Sequence, residues 1–184
     1  TKKTKAIIPV SYHGLPCDID ELCAIGKKYN IPIIEDNAQT HLGEYKNRFV
    51  GTDADFAMFS LERTKHISCH EGGILITNNK EIYNKACLIR NHGEACIDSN
   101  DNLTNVLGFN FRMGEIEAAI GIQQLKKINN LVEIKINIAE HLIKGLKKLR
   151  GITTPKIPNN YTHSYYVLPL ILDVKEIGID RKTV

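Results

Sequence analysis

Residues 31–65, IPIIEDNAQTHLGEYKNRFVGTDADFAMFSLERTK, decide the fold of this chain. They begin with a short apolar run, Ile31 to Ile34, that ends in the carboxylates of Glu35 and Asp36, and they contain a second run from Ala54 to Ser60. Short apolar runs bounded by polar and turn-forming residues are typical of strands buried in a parallel sheet. The stretch therefore predicts two strands of one α/β sheet.

The elements before this stretch alternate between strand-like and helical patterns. We expect a strand at residues 6–10, although Pro9 cannot donate a backbone hydrogen bond there. Asp18 and Glu21 resemble a capping box, and apolar residues at helical spacing follow them as far as Tyr29. A strand followed by a helix and another strand predicts an α/β fold with a mainly parallel sheet.

The second half of the chain continues this pattern and then changes. After a strand at 73–77 and a helix at about 80–90, residues 113–149 predict one long or broken helix that exceeds the usual length of about 8–20 residues. Prolines follow it, and strand-like structure is expected again at 165–172. We therefore expect a large domain over residues 1–150 and the start of a smaller one over 151–184.

Composition excludes several classes of partner. The 24 basic and 21 acidic residues are scattered, so no basic stripe is available for nucleic acid or anionic lipid. No apolar run is long enough for a membrane span or a signal peptide. The five cysteines, an odd number at irregular spacing, favour reduced thiols in the cytoplasm over a disulfide framework.

Two groups of opposite charge follow predicted strands. Asp36 ends the first strand of the opening stretch, and Lys65 lies in the connection after the second, so both are expected at one edge of the sheet, where α/β proteins bind ligands. A carboxylate that keeps a pyridine nitrogen protonated and a lysine that forms a Schiff base are the fixed requirements of pyridoxal-phosphate chemistry. The alternative is a helix N-cap and a solvated lysine.

Several motifs resemble one family in its own order. The chain is similar to the DegT-type (DegT/StrS) nucleotide-sugar aminotransferases in six segments: Thr4-Lys-Ala-Ile-Ile-Pro-Val10, Ile34-Glu-Asp-Asn-Ala-Gln39, Phe59-Ser-Leu-Glu-Arg-Thr-Lys65, Glu71-Gly-Gly73, Arg90-Asn-His-Gly93 and Gly108-Phe-Asn-Phe-Arg-Met-Gly-Glu-Ile-Glu-Ala-Ala119. Several motifs in register are far more specific than any one of them. The resemblance implies part of the helix-flanked sheet of a fold-type I transferase that depends on pyridoxal 5′-phosphate.

The resemblance also implies roles for four residues around the cofactor. Lys65 matches the catalytic lysine that bonds to the cofactor and shuttles a proton, and Asp36 matches the partner of the pyridinium nitrogen. Gln39 matches a glutamine near the cofactor ring, and Ser60 matches a serine that binds the phosphate. Their alternatives are a helix-surface amide for Gln39 and a local cap at the strand end for Ser60.

Two further residues match the family pattern. Asn110 falls at the position that reaches the cofactor phosphate of a neighbouring subunit, which implies a homodimer with shared active sites. Its alternative is to cap the following helix. His163 resembles a histidine near the substrate sugar, in a segment where the match is looser, and its alternative is a surface histidine beside a strand.

The implied reaction transfers an amino group, usually from glutamate, to a keto sugar carried by a nucleotide, in polysaccharide or lipopolysaccharide biosynthesis. In the family, the segment that opens a helix toward the phosphate and the aromatic residue that stacks on the ring precede the part matched here. We therefore expect this chain to be part of a longer protein, and to bind the cofactor weakly by itself.

Three other functions remain open. A sugar dehydratase of the same family has a histidine in place of the lysine, and His66 is only one residue away from Lys65. A metal site could use the histidines and cysteines after it, although their spacing fits no standard zinc pattern; these are His66, Cys69, His70, His92 and Cys96. The chain could also be a fragment that binds no cofactor.

Overall fold

The computed structural model describes residues 1–94, 106–180 and 182–183, and it has an α/β architecture. Its strands are β1 (Ile34–Asp36), β2 (Glu44–Tyr45), β3 (Arg48–Phe49), β4 (Phe56–Ser60), β5 (Gly73–Ile76), β6 (Ile152–Thr153), β7 (Tyr161–Thr162) and β8 (Ile171–Leu172). Its helices are α1 (Ile19–Tyr29), α2 (Lys80–Arg90), α3 (Glu115–Leu125), α4 (Ile128–Leu146) and α5 (Val174–Ile177).

The central sheet has the order β1-β4-β5, with β1 parallel to β4 and β4 antiparallel to β5. The two strands predicted from the opening stretch therefore pair directly. On the free side of β1, the predicted strand at 6–10 is reduced to two isolated parallel bridges, Ile7 with Ile33 and Val10 with Asp36. Pro9 explains the reduction, because it lacks an N–H; its carbonyl accepts the amide of Asp36 at 2.9 Å.

The first helix packs on this sheet through a small apolar cluster. Ile19 at the start of α1, Ile33 before β1 and Tyr45 in β2 are all buried together. The predicted capping box is wrong, because Asp18 is the N-cap residue but its carboxylate bonds no backbone amide. It accepts a hydrogen bond from the hydroxyl of Tyr161, so it connects α1 to the C-terminal part of the chain instead.

The sequence predicted one long or broken helix at 113–149, and the structure shows a broken one. Helix α3 ends at Leu125 and α4 begins at Ile128, with the last residues of the predicted stretch outside both. Val132, Ala139 and Ile143 of α4 are buried, whereas α3 exposes several large apolar side chains, such as Ile116 at 74%. Among the described residues, no helix is both long and apolar enough to cross a membrane.

The segment after β7 returns to the first part of the chain. β7 pairs antiparallel with β2, and the amide of Ser164 donates to the carbonyl of Gly14 at 2.8 Å. The strand predicted at 165–172 is present only as β8, which pairs with β6. Tyr165 cannot belong to a strand, because it adopts a left-handed φ of 49°. The proposed division into residues 1–150 and 151–184 stays a prediction.

Gly14 is required where these two segments meet. Its φ of 104° lies in the left-handed region, and a Cβ built on it would stand 2.7 Å from the backbone nitrogen of Tyr165. Gly145, in α4, is different, because a Cβ there would meet nothing within 4 Å.

We predict opposite effects of alanine at these two glycines. Gly14→Ala should lower the free energy of unfolding by about 2 kcal/mol or more, because it adds both backbone strain and a clash with a backbone atom. Gly145→Ala should raise it by about 0.5–1 kcal/mol, because alanine favours a helical backbone. Urea unfolding of the purified protein measures both, and a Gly14→Ala protein as stable as the parent would contradict the packing described.

Candidate functional site

The candidate site lies at the edge of the sheet where β1 and β4 end. Asp36 pairs in register with Met58, and the amide of Asn37 donates to the carbonyl of Met58 at 2.9 Å. Ser60, the last residue of β4, is only two positions further along. The structure therefore places Asp36 and Ser60 at the same carboxyl edge, where the sequence predicted a ligand site.

Asp36 and Glu35 have different surroundings although they are neighbours. Asp36 is half-buried, and its Oδ1 accepts the amide of Ala38 at 3.0 Å. Glu35 is 1% exposed, and its Oε2 accepts the amide of Gly51 at 2.8 Å, which anchors the loop before β4. Burial raises the pKa of the Glu35 carboxyl above its usual value. Asp36 is thus the carboxylate of this pair that is accessible to a ligand.

Lys65 stands in a tight loop that follows β4. Its amide donates to the carbonyl of Glu62 at 3.0 Å, and the loop is closed by a bond of the same length from the amide of Cys69 to the carbonyl of Leu61. The side chain of Lys65 is half-buried, with its Nζ 4.6 Å from the ring centroid of Tyr166. The C-terminal segment therefore forms one side of the lysine's surroundings.

Gln39 and Ser60 both use part of their polar capacity within the protein. Gln39 is half-buried and its Oε1 accepts the amide of His13 at 2.8 Å, so it is not the surface amide of the alternative interpretation. The hydroxyl oxygen of Ser60 accepts the amide of Glu62 at 3.2 Å. This is the local cap of the alternative interpretation, and it leaves the Ser60 hydroxyl hydrogen available to an acceptor.

His163 is buried at 4% exposure, so the alternative of a surface histidine is wrong. Its Nδ1 accepts the amide of Tyr165 at 2.9 Å, and the two rings stack with centroids 4.0 Å apart. Burial lowers the pKa of His163 to about 4, and nearby His13 acts in the same direction. His163 is therefore held by Tyr165, through the stacked rings and through the hydrogen bond at Nδ1.

Asn110 is exposed and forms an isolated antiparallel bridge with Asn91. It does not cap the following helix, because the N-cap residue of α3 is Gly114, so the capping alternative is wrong. No hydrogen bond of the described residues joins the side chain of Asn110 to the carboxyl edge. Among the described residues, no hydrogen bond connects Asn110 with Lys65.

Two buried histidines lie next to the lysine. His41 and His66 are 4% and 5% exposed, with ring centroids 5.2 Å apart. The Nε2 of His66 lies 2.8 Å from the carbonyl oxygen of Ser164 and donates to it, because a carbonyl can only accept. Burial lowers the pKa of both imidazoles to about 4, and the charge of Lys65 further disfavours protonation of His41.

Buried polar atoms without a partner gather around these residues. Among the described residues, such atoms occur only in four side chains: His13, Asn37, His41 and His66. His13 bonds Gln39, while Asn37 and His66 directly follow Asp36 and Lys65. Because buried polar groups in folded proteins nearly always have partners, this concentration marks a place suited to a polar ligand.

The sequence analysis missed His13, His41 and Tyr166 as parts of this site. The only local signal for His41 is that polar side chains occur at every second position after β1, at Asn37, Gln39 and His41. His13 and Tyr166 reach the site through backbone turns with positive φ, at His13 itself and at Tyr165. No periodicity in the sequence indicates such turns.

The metal-binding alternative has no support in the described part of the chain. No group of three or more histidine, cysteine, aspartate or glutamate side chains there could hold a metal ion. His66 is committed to Ser164, and Cys69 donates its thiol hydrogen to the carbonyl of Glu71 at 3.1 Å. Cys96, part of the predicted cluster, lies outside the described residues.

Comparisons with known proteins identify the family of the chain. The model of the DegT/DnrJ/EryC1/StrS aminotransferase family matches residues 1–184. A Campylobacter jejuni relative named UDP-4-amino-4,6-dideoxy-N-acetyl-beta-L-altrosamine transaminase is 35% identical over 167 residues, which cover 91% of this chain and 44% of the relative.

Two solved structures have the same fold over nearly the whole chain. PseC from Helicobacter pylori, an aminotransferase involved in the biosynthesis of pseudoaminic acid, aligns with a TM-score of 0.86 at 29% identity, over 95% of this chain and 47% of its own. GDP-4-keto-6-deoxymannose-3-dehydratase (ColD), with bound GDP-perosamine, gives a TM-score of 0.86 at 28% identity, over 100% of this chain and 50% of its own. The chain spans about half the length of the proteins that it matches.

We predict that the buried histidines make the protein sensitive to acid. A pKa near 4 in the folded state, below the ordinary 6.5, means that the unfolded chain binds more protons between these values. The stabilisation is therefore complete above about pH 6.5 and is lost as the pH falls toward 4. His41→Gln should reduce the slope of unfolding free energy against pH in this window by up to about 1.4 kcal/mol per pH unit.

Urea unfolding at a series of pH values between about 4 and 7 measures this slope. The matched control is His141→Gln, because His141 is exposed on α4 and its replacement should leave the slope unchanged. An unaltered slope in His41→Gln would show that His41 does not titrate differently in the two states.

Proposed function

This chain belongs to the DegT/DnrJ/EryC1/StrS aminotransferase family, and from that membership we propose that its protein transfers an amino group from glutamate to a keto sugar carried by a nucleotide. Membership confirms the resemblance inferred from the motifs, and the solved structures confirm the expected fold-type I architecture. The observation that carries the proposal is the arrangement of Asp36, Ser60 and Lys65 at one edge of the sheet.

Pyridoxal 5′-phosphate is the cofactor of this family, and the residues present fit it. The unpartnered buried nitrogens, including the side-chain amide of Asn37, belong to residues that follow Asp36 and Lys65 or bond Gln39, where a polar ring and a phosphate are expected. When bound, the cofactor supplies an aldehyde that reacts with amines and a ring that accepts the electrons of a breaking bond.

Each protein group has a distinct task in this proposal. Asp36, the accessible carboxylate of the edge, holds a proton on the ring nitrogen. Lys65 would hold the cofactor through its amine, and the free amine would act as the base that takes up the proton of the donor's Cα. Ser60 keeps a hydroxyl hydrogen for the phosphate. Gln39, whose Oε1 accepts the amide of His13, would use its amide nitrogen to bind the ring substituents of the cofactor.

A nucleotide-linked sugar is the proposed substrate because the similar proteins are named for such compounds. The transaminase relative is named for a UDP-linked amino sugar, and the ColD structure contains a GDP-linked one. Because Nδ1 of the buried His163 imidazole accepts the amide of Tyr165, Nε2 is the nitrogen that would donate to a sugar hydroxyl. We propose His163 as a contact of the sugar on this basis.

Asn110 is proposed to serve the cofactor phosphate of a second subunit in a homodimer. It is exposed, and it lies between Phe109 and Phe111, which are 50% and 65% exposed and stack with centroids 5.0 Å apart. An amide on an apolar exposed segment is well placed to reach across a subunit contact, because such segments mark protein interfaces.

A sugar dehydratase is the second candidate, and it is favoured by the likeness to ColD. The position of His66 argues against it. The His66 ring is buried, and its Nε2 is engaged by the carbonyl of Ser164, whereas the neighbouring Lys65 is half-buried. A shift of one residue in the motif would therefore place a committed imidazole where the reacting group belongs.

We predict that the full-length protein carries its cofactor on Lys65. Borohydride reduction followed by peptide mass spectrometry should find the adduct on this residue, and Lys65→Ala should lower the rate of amino transfer by at least about a thousandfold. Lys27→Ala, on the exposed face of α1, is the matched control and should keep full activity. A protein that converts its sugar by loss of a hydroxyl, with no amino product, would establish the dehydratase instead.

We predict that two inactive variants restore activity when mixed. Asn110→Ala and Lys65→Ala subunits, exchanged in equal amounts, should form mixed dimers in which one of two sites has both native residues. The mixture should then recover up to about a quarter of the parent activity. Recovery of nothing above the sum of the separate variants would mean that Asn110 does not serve a site on another subunit.

A further inference from the structure

The two residues that flank Lys65 are both bound by the same C-terminal segment. On one side, the hydroxyl of Thr64 lies 2.9 Å from the hydroxyl of Tyr166. On the other side, the ring of His66 donates to the carbonyl of Ser164 at 2.8 Å. Between them, the Nζ of Lys65 stands 4.6 Å from the centre of the Tyr166 ring. Residues 164–166 therefore contact three consecutive residues of the catalytic loop.

This segment is itself anchored to the body of the protein. The amide of Ser164 donates to Gly14, and the amide of Val167 donates to the carbonyl of His13 at 3.3 Å. Tyr165, between the two contact residues, is buried and stacked on His163. A contact made by residues whose backbone is fixed on both sides can hold a partner in one position.

We propose that residues 164–166 act as a clasp that positions the amine of Lys65, with Tyr166 as the main positioning residue. The proposal rests on the proposed function for its catalytic meaning, but the clasp can be tested independently of it. Tyr166 is neither assigned to the cofactor nor predicted by the motifs. Its role is to act on Lys65, through the ring face and through the bond to Thr64.

The physical reason lies in the lysine side chain. Its four-carbon stem has many rotamers, and it is held by a covalent bond only while it is joined to the cofactor. In the step in which it moves a proton, the amine is free and must stay close to the reacting carbon. The electron-rich face of a tyrosine attracts an ammonium group and limits where it can go.

The first test is kinetic and uses the full-length enzyme. Tyr166→Leu should lower kcat about tenfold with KM changed less than about twofold, because a misplaced amine slows the proton transfer without altering substrate binding. Tyr166→Phe keeps the ring and should recover most of this loss. A loss that appears in KM alone would overturn the proposal, since it would make Tyr166 a substrate contact.

A double-mutant cycle tests the hydroxyl pair. Thr64→Val and Tyr166→Phe both remove the bond between the two hydroxyls, and Thr64→Val also removes the bond from the Thr64 hydroxyl to the carboxylate of Glu62. The double variant should therefore be no slower than Thr64→Val alone. Effects on kcat that multiply would show that the two hydroxyls act separately and would contradict a shared clasp.

The second test needs neither cofactor nor substrate. In the full-length protein freed of its cofactor, Lys65 should react with an N-hydroxysuccinimide acetyl ester at least about threefold faster in Tyr166→Leu, because the ring no longer covers one face of the amine. Peptide mass spectrometry measures the rate at each lysine. Tyr83→Leu is the matched control, because the Nζ of Lys80 stands 4.7 Å from the Tyr83 ring centroid, away from the site.

The expected pattern is specific to each pair. Tyr83→Leu should speed the acetylation of Lys80 and leave Lys65 unchanged, while Tyr166→Leu should do the reverse. Equal rates at Lys65 in the parent and in a folded Tyr166→Leu protein would overturn the clasp. A protein that shows the acetylation pattern but no amino transfer would refute the proposed function and keep the clasp.

Discussion

The parallel pairing of β1 with β4 is the constraint on which the rest of the structure depends. Because parallel strands end at the same edge of a sheet, the register that sets Asp36 opposite Met58 also fixes the distance from Asp36 to the loop of Lys65. A shift of the register by one residue would turn each of Asp36 and Glu35 to the other face of the sheet, so the buried carboxylate and the accessible one would exchange their environments. The carbonyl of Pro9 and the amide of Gly51 bind Asp36 and Glu35 of β1 to two neighbouring segments.

Buried polar side chains lie next to the edge that this pairing creates. Burial holds His41 and His66 neutral at ordinary pH, so two imidazoles lie beside a lysine without adding positive charge. A neutral imidazole donates at one nitrogen and accepts at the other, and the donation of His66 to Ser164 fixes which nitrogen has which role. The site therefore offers hydrogen-bonding groups rather than a concentration of charge.

Much of this site could be predicted from the sequence, and the reason is its dependence on strand ends. Recognising two apolar runs was enough to place Asp36 at a strand end, whereas Gln39 and Ser60, which lie on or within three residues of β1 or β4, were indicated by the resemblance to the family. The strand at 6–10 is reduced to two bridges by Pro9, a residue of the segment itself. The capping box at Asp18 was predicted wrongly, because a tyrosine from the other end of the chain binds its carboxylate. Local rules fail where a distant partner offers a better bond.

The clasp belongs to the part that no local pattern could indicate. The bonds from His66 to Ser164 and from Thr64 to Tyr166 join residues 98 and 102 positions apart. They form because Gly14 lets the backbone of residues 164 and 165 come close, which is a property of two turns and not of any strand or helix. The lysine that the motifs identified is therefore held by contacts that the motifs do not contain. The position of its amine depends on residues 164–166, which lie outside the central sheet.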